Sequence, residues 1–285
     1  MEPLRYLGRA EIEDLRGERG FAAKAEGLWC CGDPKALERA CVAIVGTRSA
    51  TAYGRRLAGI MATDLARAGC CIVSGLALGI DACAHAGALE ARAPTIGVLG
   101  SGHRRFFPRA NEALARRMVE AGGAVLSPFP PEEPAYPSRF LQRNGIVAAL
   151  ADAVVVVEAP ARSGALNTAG WAAGRVPVLA VPGDVDRRHS AGCLALIRDG
   201  ATLARDANDV LEALGDARLP LQAAHPPIAD PLAGAIAELL LDGERDLDAI
   251  VSAVQAPVPA VLAALAMLEI DGVIEVRGPA RYARR

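Results

Sequence analysis

Residues 42–56, VAIVGTRSATAYGRR, decide the fold, because a short apolar run ends there at the polar corner Gly46-Thr47-Arg48. Apolar runs end in a similar way in CIVSGLALGIDACAHAGAL (71–89), TIGVLGSGHRRFFPRAN (95–111), AVLSPFP (124–130), AVVVVEAPARSGALNTAG (153–170) and VPVLAVPGDVD (176–186). Each run is too short for a helix and does not alternate with polar residues, as expected of a strand buried on both faces. Several runs lead into Ala- and Leu-rich helical stretches. The sequence therefore predicts an α/β fold with a parallel sheet and helices on both faces.

The rest of the chain divides by composition. Residues 1–40 are predicted to form a short, partly helical lead-in to a sheet domain over residues 41–214. Residues 215–229 contain three prolines and no hydrophobic periodicity, so they are predicted to be a linker. Residues 230–285 contain three predicted helices followed by a hairpin, which is the pattern of a small winged-helix domain.

The bulk composition excludes several classes of protein. No apolar run approaches the roughly 20 residues that a membrane span needs, and the N-terminus lacks an apolar signal core, so a cytoplasmic protein without membrane contact is expected. The seven cysteines form no Cys-x-x-Cys pair and the four histidines are scattered, so no metal site is predicted. Neither the G-x-G-x-x-G dinucleotide fingerprint nor the Walker phosphate-binding loop is present, so no nicotinamide or nucleotide cofactor is predicted.

Charge is distributed unevenly, although the formal net charge is only −2. Arg48, Arg55 and Arg56 form a cluster without a nearby acid, and residues 101–145 carry seven Arg against four Glu. The planar guanidinium of arginine suits phosphate. A locally basic surface is therefore predicted on a protein that is nearly neutral overall.

The polar corners are predicted to meet in one crevice, because ligands of parallel sheets bind outside the carboxyl ends of the strands. Gly46 permits close approach of a ligand, Thr47 offers a hydroxyl, and Arg48 can make paired contacts to phosphate oxygens. At a later corner, the hydroxyls of Ser163 and Thr168 and the free N–H groups of a helix start form an anion site. Each corner taken alone is also compatible with an ordinary strand-to-helix turn, with Ser163 as a helix cap.

Three further polar residues near the corners have two interpretations each. Asp81 and His85 stand four residues apart on one predicted helical face, as a catalytic pair could. No third partner accompanies them, so a structural role in holding the loop is the favoured interpretation. Glu158 could orient a ribose or an arginine.

Taken together, the motifs VAIVGTR (42–48), SGLALGIDACAH (74–85), Phe140-x-x-Arg143-Asn144, VVEAPARSGALNTA (156–169), AVPGDVD (180–186) and GCLALIRDGA (192–201) resemble the DNA-processing protein A (DprA, also called Smf) family. The resemblance covers about residues 28–212 in order and spacing. It implies a Rossmann-like sheet domain that binds single-stranded DNA in a basic pocket and loads a RecA-type recombinase during natural transformation. It also implies a homodimer formed through the sheet domain, with an appended winged helix.

The resemblance implies specific site residues. Arg48 and Arg143 match positions that contact DNA phosphates, and Phe140 and Asn144 belong to the same pocket motif. The floor of the pocket is implied to be formed by Gly46, Ser74, Gly75, Ser163, Gly164 and Thr168. The chain departs from the family at Leu78 and Gly145, where family members usually carry Arg. Because two phosphate partners are then missing, binding is expected to be weaker and less sensitive to salt.

Two classes of function are compatible with such a crevice. The first is a non-catalytic binder of single-stranded DNA that serves a recombinase. The second is a nucleotide-processing enzyme of the phosphoribohydrolase type, in which a catalytic Glu follows the late glycine-rich loop. Here Thr168 is followed by Ala169, Gly170 and Trp171, and Glu158 precedes the loop, so no enzymatic activity is predicted. An assay of base release from nucleoside monophosphates discriminates between the two.

The C-terminal segment is predicted not to read DNA, although winged helices often do. Residues 230–285 carry nine acids and five arginines, a balance of −4. The candidate recognition helix, VPAVLAALAMLEI (258–270), offers no Arg, Lys, Asn or Gln to a base edge. It is predicted to pack either in the core of its own domain or against a partner.

Overall fold

The computed structural model describes residues 3–215, 230–270, 273–278 and 280–284. The chain forms two compact units, residues 1–218 and 219–285. Apart from Gly215, which ends a helix in the left-handed conformation, the predicted linker 215–229 lies outside the described residues.

The first unit is built on a nine-stranded sheet in the order β1-β2-β6-β5-β4-β3-β7-β8-β9. Its strands are β1 (Arg5–Gly8), β2 (Gly27–Gly32), β3 (Cys41–Val45), β4 (Cys71–Ser74), β5 (Thr95–Val98), β6 (Ala124–Ser127), β7 (Ala153–Val156), β8 (Val178–Ala180) and β9 (Thr202–Leu203). All neighbours from β6 to β9 pair in parallel, whereas β2 is antiparallel to both β6 and β1. The mostly parallel sheet confirms the predicted fold class.

Helices cover the sheet because its central strands are apolar on both sides. Every residue of β3 is buried, and Cys41, Ala43 and Val45 share one core cluster with residues 146–151. The helices of this unit are α1 (Arg9–Arg16), α2 (Ala52–Arg67), α3 (Ile80–Glu90), α4 (Glu112–Glu120), α5 (Pro137–Leu150), α6 (Gly164–Ala172), α7 (Ala191–Arg198) and α8 (Ala207–Leu214). Packing contacts join α2 to α3 and α3 to α4, and separately join α5 to α6.

The strand order reverses between β3 and β7. From β3 the chain builds outward through β4, β5 and β6, and it then returns to place β7, β8 and β9 on the other side of β3. Loops that leave the carboxyl ends of β3 and β7 therefore diverge, and such a topological switch point is where doubly wound sheets bind ligands.

The predicted lead-in, residues 1–40, contributes two strands to the sheet. β1 and β2 extend the sheet beyond β6, and an ion pair joins α1 to the centre of the sheet. Nη2 of Arg16 lies 2.6 Å from Oδ1 of Asp152, and the backbone N–H of Cys41 donates to Oδ2 of the same carboxylate at 2.7 Å. β1 pairs with β2, and β2 pairs with β6, so the lead-in is joined to the parallel part of the sheet through β2.

The second unit has the predicted winged-helix arrangement. Its helices are α9 (Pro231–Leu239), α10 (Leu247–Val254) and α11 (Val258–Ile270), and its strands are β10 (Arg245–Asp246), β11 (Ile274–Val276) and β12 (Arg281–Arg284). Asp230 and Asp246 cap α9 and α10 by accepting N–H bonds from the first turn.

Across the described residues, no single helix is long and apolar enough to cross a membrane. The pair α10 and α11 meets that test, by length and composition, only when the two are taken together across a bend of 111°.

Candidate nucleic-acid interface

A pocket of about 260 Å³ opens at the switch point and is called the basic pocket below. It contains nine of the eleven site residues predicted from the sequence: Gly46, Thr47, Arg48, Gly75, Arg143, Asn144, Ser163, Gly164 and Thr168. These residues follow β3, β4 and β7 or lie on α5 and α6. The structure therefore brings corners that are more than 100 residues apart in sequence into one site.

Arg143 is the buried cation of the basic pocket. Its side chain is nearly inaccessible to solvent, and Nη1 lies 3.8 Å from Oδ2 of Asp81 and 3.4 Å from the carbonyl oxygen of Val98. Among the described residues, Nε of Arg143 has no hydrogen-bond partner. A Cβ atom on Gly75 would lie 1.2 Å from Nη1, so the guanidinium requires glycine at this position. Burial lowers the pKa of Arg143 to about 10, although Asp81 opposes this, so the group is cationic at neutral pH.

Asp81 holds the loop that follows β4. Its Oδ2 accepts the N–H groups of Gly75 at 3.0 Å and Ala77 at 3.3 Å. Burial raises the pKa of Asp81, whereas Arg143 and the two N–H groups favour its ionised form. The carboxylate therefore fixes the loop and partly balances the charge of Arg143.

His85 is fully buried and engaged elsewhere. Its Nδ1 lies 2.8 Å from Oγ1 of Thr95, whose hydroxyl donates to the carbonyl oxygen of Ile72, so Nδ1 is the donor. Burial, and to a lesser degree Arg143, lowers the pKa of His85 to about 3, so the ring is neutral. The contacts of Asp81 and His85 support the structural interpretation of this pair.

Arg48 and Phe140 form the outer rim of the basic pocket. The guanidinium carbon of Arg48 lies 5.0 Å from the ring centre of Phe140, which is a cation–π distance. The ring of Phe107 lies 5.9 Å from that of Phe140. Phe140 lies beside the basic pocket rather than in its lining. The rim combines an exposed cation with aromatic surface.

Glu158 is used to build the first corner. Its Oε1 and Oε2 accept bonds from the hydroxyl and the N–H of Thr51 at 2.5 and 2.9 Å. Thr51 in turn caps α2 by accepting the N–H of Gly54, and the carbonyl oxygen of Glu158 accepts the N–H of Thr47. Both carboxylate oxygens are therefore bonded to the loop, which corrects the expectation that Glu158 orients a ribose or an arginine.

The start of α6 forms the opposite wall. Ser163 caps the helix by accepting the N–H of Ala165 at 3.2 Å, and Thr168 is buried one turn later. Nδ2 of Asn144 donates to the carbonyl oxygen of Gly164 at 3.1 Å, so α5 and α6 are tied together at the pocket. The N-terminal end of a helix favours an anion, because its first N–H groups are unpaired and its dipole is positive there.

Two predicted residues, Phe140 and Ser74, lie outside the lining of the basic pocket, and the lining contains one cation that was not predicted, Arg162. The hydroxyl of Ser74 donates to the carbonyl oxygen of Ile44 at 2.6 Å, so it joins β4 to β3 and does not line the basic pocket. Arg162 lines the pocket and is exposed. Its position immediately before the helix cap Ser163 is the signal that could have identified it. Neither Arg162 nor Arg48 forms an ion pair within the described part of the chain.

The local excess of arginine over residues 101–145 is partly neutralised. Ion pairs join Arg104 to Glu132, Arg116 to Glu112 and Arg139 to Glu133. Three of the seven arginines in this range are thus paired with glutamates, whereas Arg48 and Arg162 of the pocket are not, as far as the chain is described. Within residues 3–215, 230–270, 273–278 and 280–284, no group of three His, Cys, Asp or Glu side chains is arranged to hold a metal ion.

Known proteins share both parts of this architecture. The family model for DNA recombination-mediator protein A matches residues 19–215, and the DprA winged helix domain matches residues 220–278. A putative DNA processing protein DprA of Mycobacterium tuberculosis (strain CDC 1551 / Oshkosh) is 40% identical over 266 residues, which cover 88% of this chain and 66% of the relative. Protein Smf of Escherichia coli (strain K12) is 37% identical, with 86% of this chain and 68% of the relative covered. The chain thus spans about two thirds of the length of these curated relatives.

Two solved structures that are similar to this chain are also structures of DNA processing protein A. The X-ray structure of DprA from Streptococcus pneumoniae matches with a TM-score of 0.65 and 32% identity, covering 74% of each chain. DNA processing protein A from Helicobacter pylori, described with its single-stranded DNA binding mode, has a TM-score of 0.65 and 28% identity, covering 74% of this chain and 95% of that protein. Because the family model spans the sheet unit with the basic pocket, the chain belongs to the DNA recombination-mediator protein A (DprA) family.

Proposed function

We propose that this chain binds single-stranded DNA in the basic pocket, in preference to duplex DNA, and does so without catalysing a reaction. The observation that carries the proposal is the convergence of Arg143, Arg48 and the Phe140 ring at the carboxyl edge of the sheet. A similar protein, from Helicobacter pylori, has a described single-stranded DNA binding mode, which supports the choice of ligand.

The chemistry of the pocket suits one phosphate group of a flexible strand. The buried guanidinium of Arg143 and the exposed guanidinium of Arg48 supply charge-assisted donors, and the N-terminal end of α6 adds a positive dipole. At the rim, the ring of Phe140 offers a surface on which a base can stack. Bases in a duplex are already stacked and paired, so only an unpaired strand can use the phosphate and aromatic contacts together.

We also propose a protein partner, a RecA-type recombinase, and an assembly, a homodimer. Membership in a family of recombination mediators supports delivery of the bound strand to a RecA-type recombinase, and we include a homodimer formed through the sheet unit. The proposed setting is the cytoplasm, where such a recombinase would take over incoming strands during transformation.

The direct test is a titration of the full chain with matched single-stranded and duplex oligonucleotides across a salt series. We expect single strands to bind more tightly, and we expect the logarithm of affinity to fall linearly with the logarithm of salt concentration. Equal affinity for the two forms, or binding that does not depend on salt, would contradict the proposal.

The alternative, an enzyme of the phosphoribohydrolase type, would need a free catalytic carboxylate in the basic pocket. Both carboxylate oxygens of Glu158 are bonded to Thr51, and α6 carries no acidic residue after Thr168. Asp81 is bonded to two backbone N–H groups and faces Arg143. None of the carboxylates among these described residues is placed as a free base for hydrolysis, which supports a binding function.

The winged-helix unit is proposed not to hold the strand. On α11, Val261, Leu265 and Leu268 are buried in the core of the unit, while Leu262 and Met267 are exposed. The helix is therefore apolar on its exposed side as well, and it offers no cation to phosphate.

Deleting residues 222–285 should consequently leave single-strand affinity within a few-fold of that of the full chain, because the pocket lies wholly in the first unit. Fluorescence anisotropy with a labelled oligonucleotide measures this directly, with circular dichroism as the check on folding. A loss of about a hundredfold, roughly 2.7 kcal/mol, would show that the second unit holds the DNA.

A further inference from the structure

A second, larger cavity lies beside the basic pocket in the same unit. It has a volume of about 520 Å³ and is called the aromatic cleft here, because Tyr6, Phe129 and Trp171 line it. Gln142, Gly145 and Ile146 of α5 contribute to the lining. Among the described residues, the lining contains no arginine, and its two charged residues, Lys24 and Glu26, are of opposite sign. The cleft therefore carries no net positive charge and suits an uncharged planar group rather than a phosphate.

The indole ring of Trp171 packs against the backbone of α5 and is still half exposed. A Cβ atom on Gly145 would lie 3.4 to 3.6 Å from the indole atoms Cε2, Cδ2 and Nε1, so the ring lies against the backbone of Gly145. The side chain is nevertheless 50% exposed. A single exposed aromatic residue is ordinary on a protein surface. Here, however, the ring is supported from one side and open to a cavity on the other, as a stacking platform must be.

The cleft and the basic pocket share two helices. On α5, Arg143 and Asn144 line the basic pocket, whereas Gln142 and Gly145 line the cleft. On α6, Thr168 lines the basic pocket and Trp171, three residues later, lines the cleft. The two sites therefore lie on either side of the contact between α5 and α6.

The sheet places both sites at its carboxyl edge. Gly75 follows β4 and lines the basic pocket, and Phe129 lies beyond the end of β6 and lines the cleft. β4 and β6 are separated by β5 alone, so their ends are about 10 Å apart at the usual strand spacing. A strand whose phosphate is bound at Arg143 can thus reach the cleft with a neighbouring base.

We propose that Trp171 is the stacking platform for an unpaired base of the strand whose phosphate occupies the basic pocket. This inference rests on the proposed function. Gln142 is exposed at the cleft, and its side-chain amide has both donors and an acceptor for the edge of the stacked base. Because stacking uses the face that every base possesses, the contact increases affinity without selecting sequence.

The test uses the full chain with Trp29→Phe, since the protein has two tryptophans and this variant leaves only Trp171. Oligothymidylate is the probe, and a strand of the same length made of abasic sites is its control. We expect oligothymidylate to quench the fluorescence of Trp171 and the abasic strand to leave it unchanged. Trp171→Ala should weaken oligothymidylate binding by roughly tenfold, leave abasic binding and the salt slope unchanged, and be partly rescued by Trp171→Phe.

The outcomes separate this inference from the proposed function. If oligothymidylate binds with the expected salt dependence but Trp171 is not quenched, or if Trp171→Ala affects both strands equally, the stacking role is overturned and the proposed function stands. If the wild-type chain binds neither strand, both fail. Quenching by the abasic strand would also overturn the stacking role, because no base is present to stack.

Discussion

Replacing both Arg48 and Arg143 with alanine should abolish most single-strand binding. In the proposed site, each guanidinium would donate charge-assisted hydrogen bonds to phosphate. Such bonds contribute about 1.5–3 kcal/mol each, so the double variant should lose at least about 3 kcal/mol, or roughly a hundredfold in Kd. The loss should be similar for all base sequences, because phosphate contacts carry no sequence information. The slope of log affinity against log salt should become shallower by about one to two units. Anisotropy titrations at several salt concentrations measure both quantities.

Two controls make the double variant interpretable. Arg67, at the far end of α2, is exposed and paired with Asp64, so Arg67→Ala removes one positive charge away from the pocket and should leave affinity nearly unchanged. Arg48→Ala alone removes an exposed cation that forms no ion pair in the described structure, so it tests the site without disturbing buried Arg143. Unchanged affinity in the double variant, with folding confirmed by circular dichroism, would contradict the assignment of the pocket.

The parallel sheet and most of the pocket could be predicted because their signals are local. Buried parallel strands such as CVAIV (41–45) are continuous apolar runs, and the residues that follow them must meet at the carboxyl edge. Gly46, Arg48 and Ser163 could therefore be placed in one site from sequence, and the structure brings them together. The assignment of these residues to DNA remains a prediction.

The remaining features depend on contacts between distant parts of the chain. The place of β1 and β2 in the sheet is set by antiparallel pairing, of β1 with β2 and of β2 with the distant strand β6. The role of Glu158 could not be recognised, because its partner Thr51 lies 107 residues earlier. The packing of Trp171 on Gly145 has the same origin, since α5 and α6 meet only in the folded protein. Sequence spacing alone carries no information about such pairs.

Removing one partner of the ion pair between Arg16 and Asp152 should destabilise the sheet unit strongly. The Arg16 side chain is 1% exposed and that of Asp152 is 14% exposed, so water screens the pair little. Asp152 also accepts the N–H of Cys41 at the start of β3, and it lies 3.7 Å from a second cation, Arg19. Removal of the Asp152 carboxylate therefore leaves the buried guanidinium of Arg16 and the backbone N–H of Cys41 without this partner, where α1 meets the central strands.

We expect Asp152→Ala to lower the free energy of unfolding by about 3 kcal/mol, because an uncompensated buried charge is far more costly than a lost surface contact. Chemical denaturation followed by circular dichroism measures this change. The matched control is Glu13→Ala, which breaks the exposed pair between Arg9 and Glu13 and should cost about 0–1 kcal/mol. The double variant Arg16→Met with Asp152→Leu removes both charges and should recover much of the lost stability. If Asp152→Ala were no more destabilising than Glu13→Ala, the junction between α1 and the sheet would not depend on this ion pair.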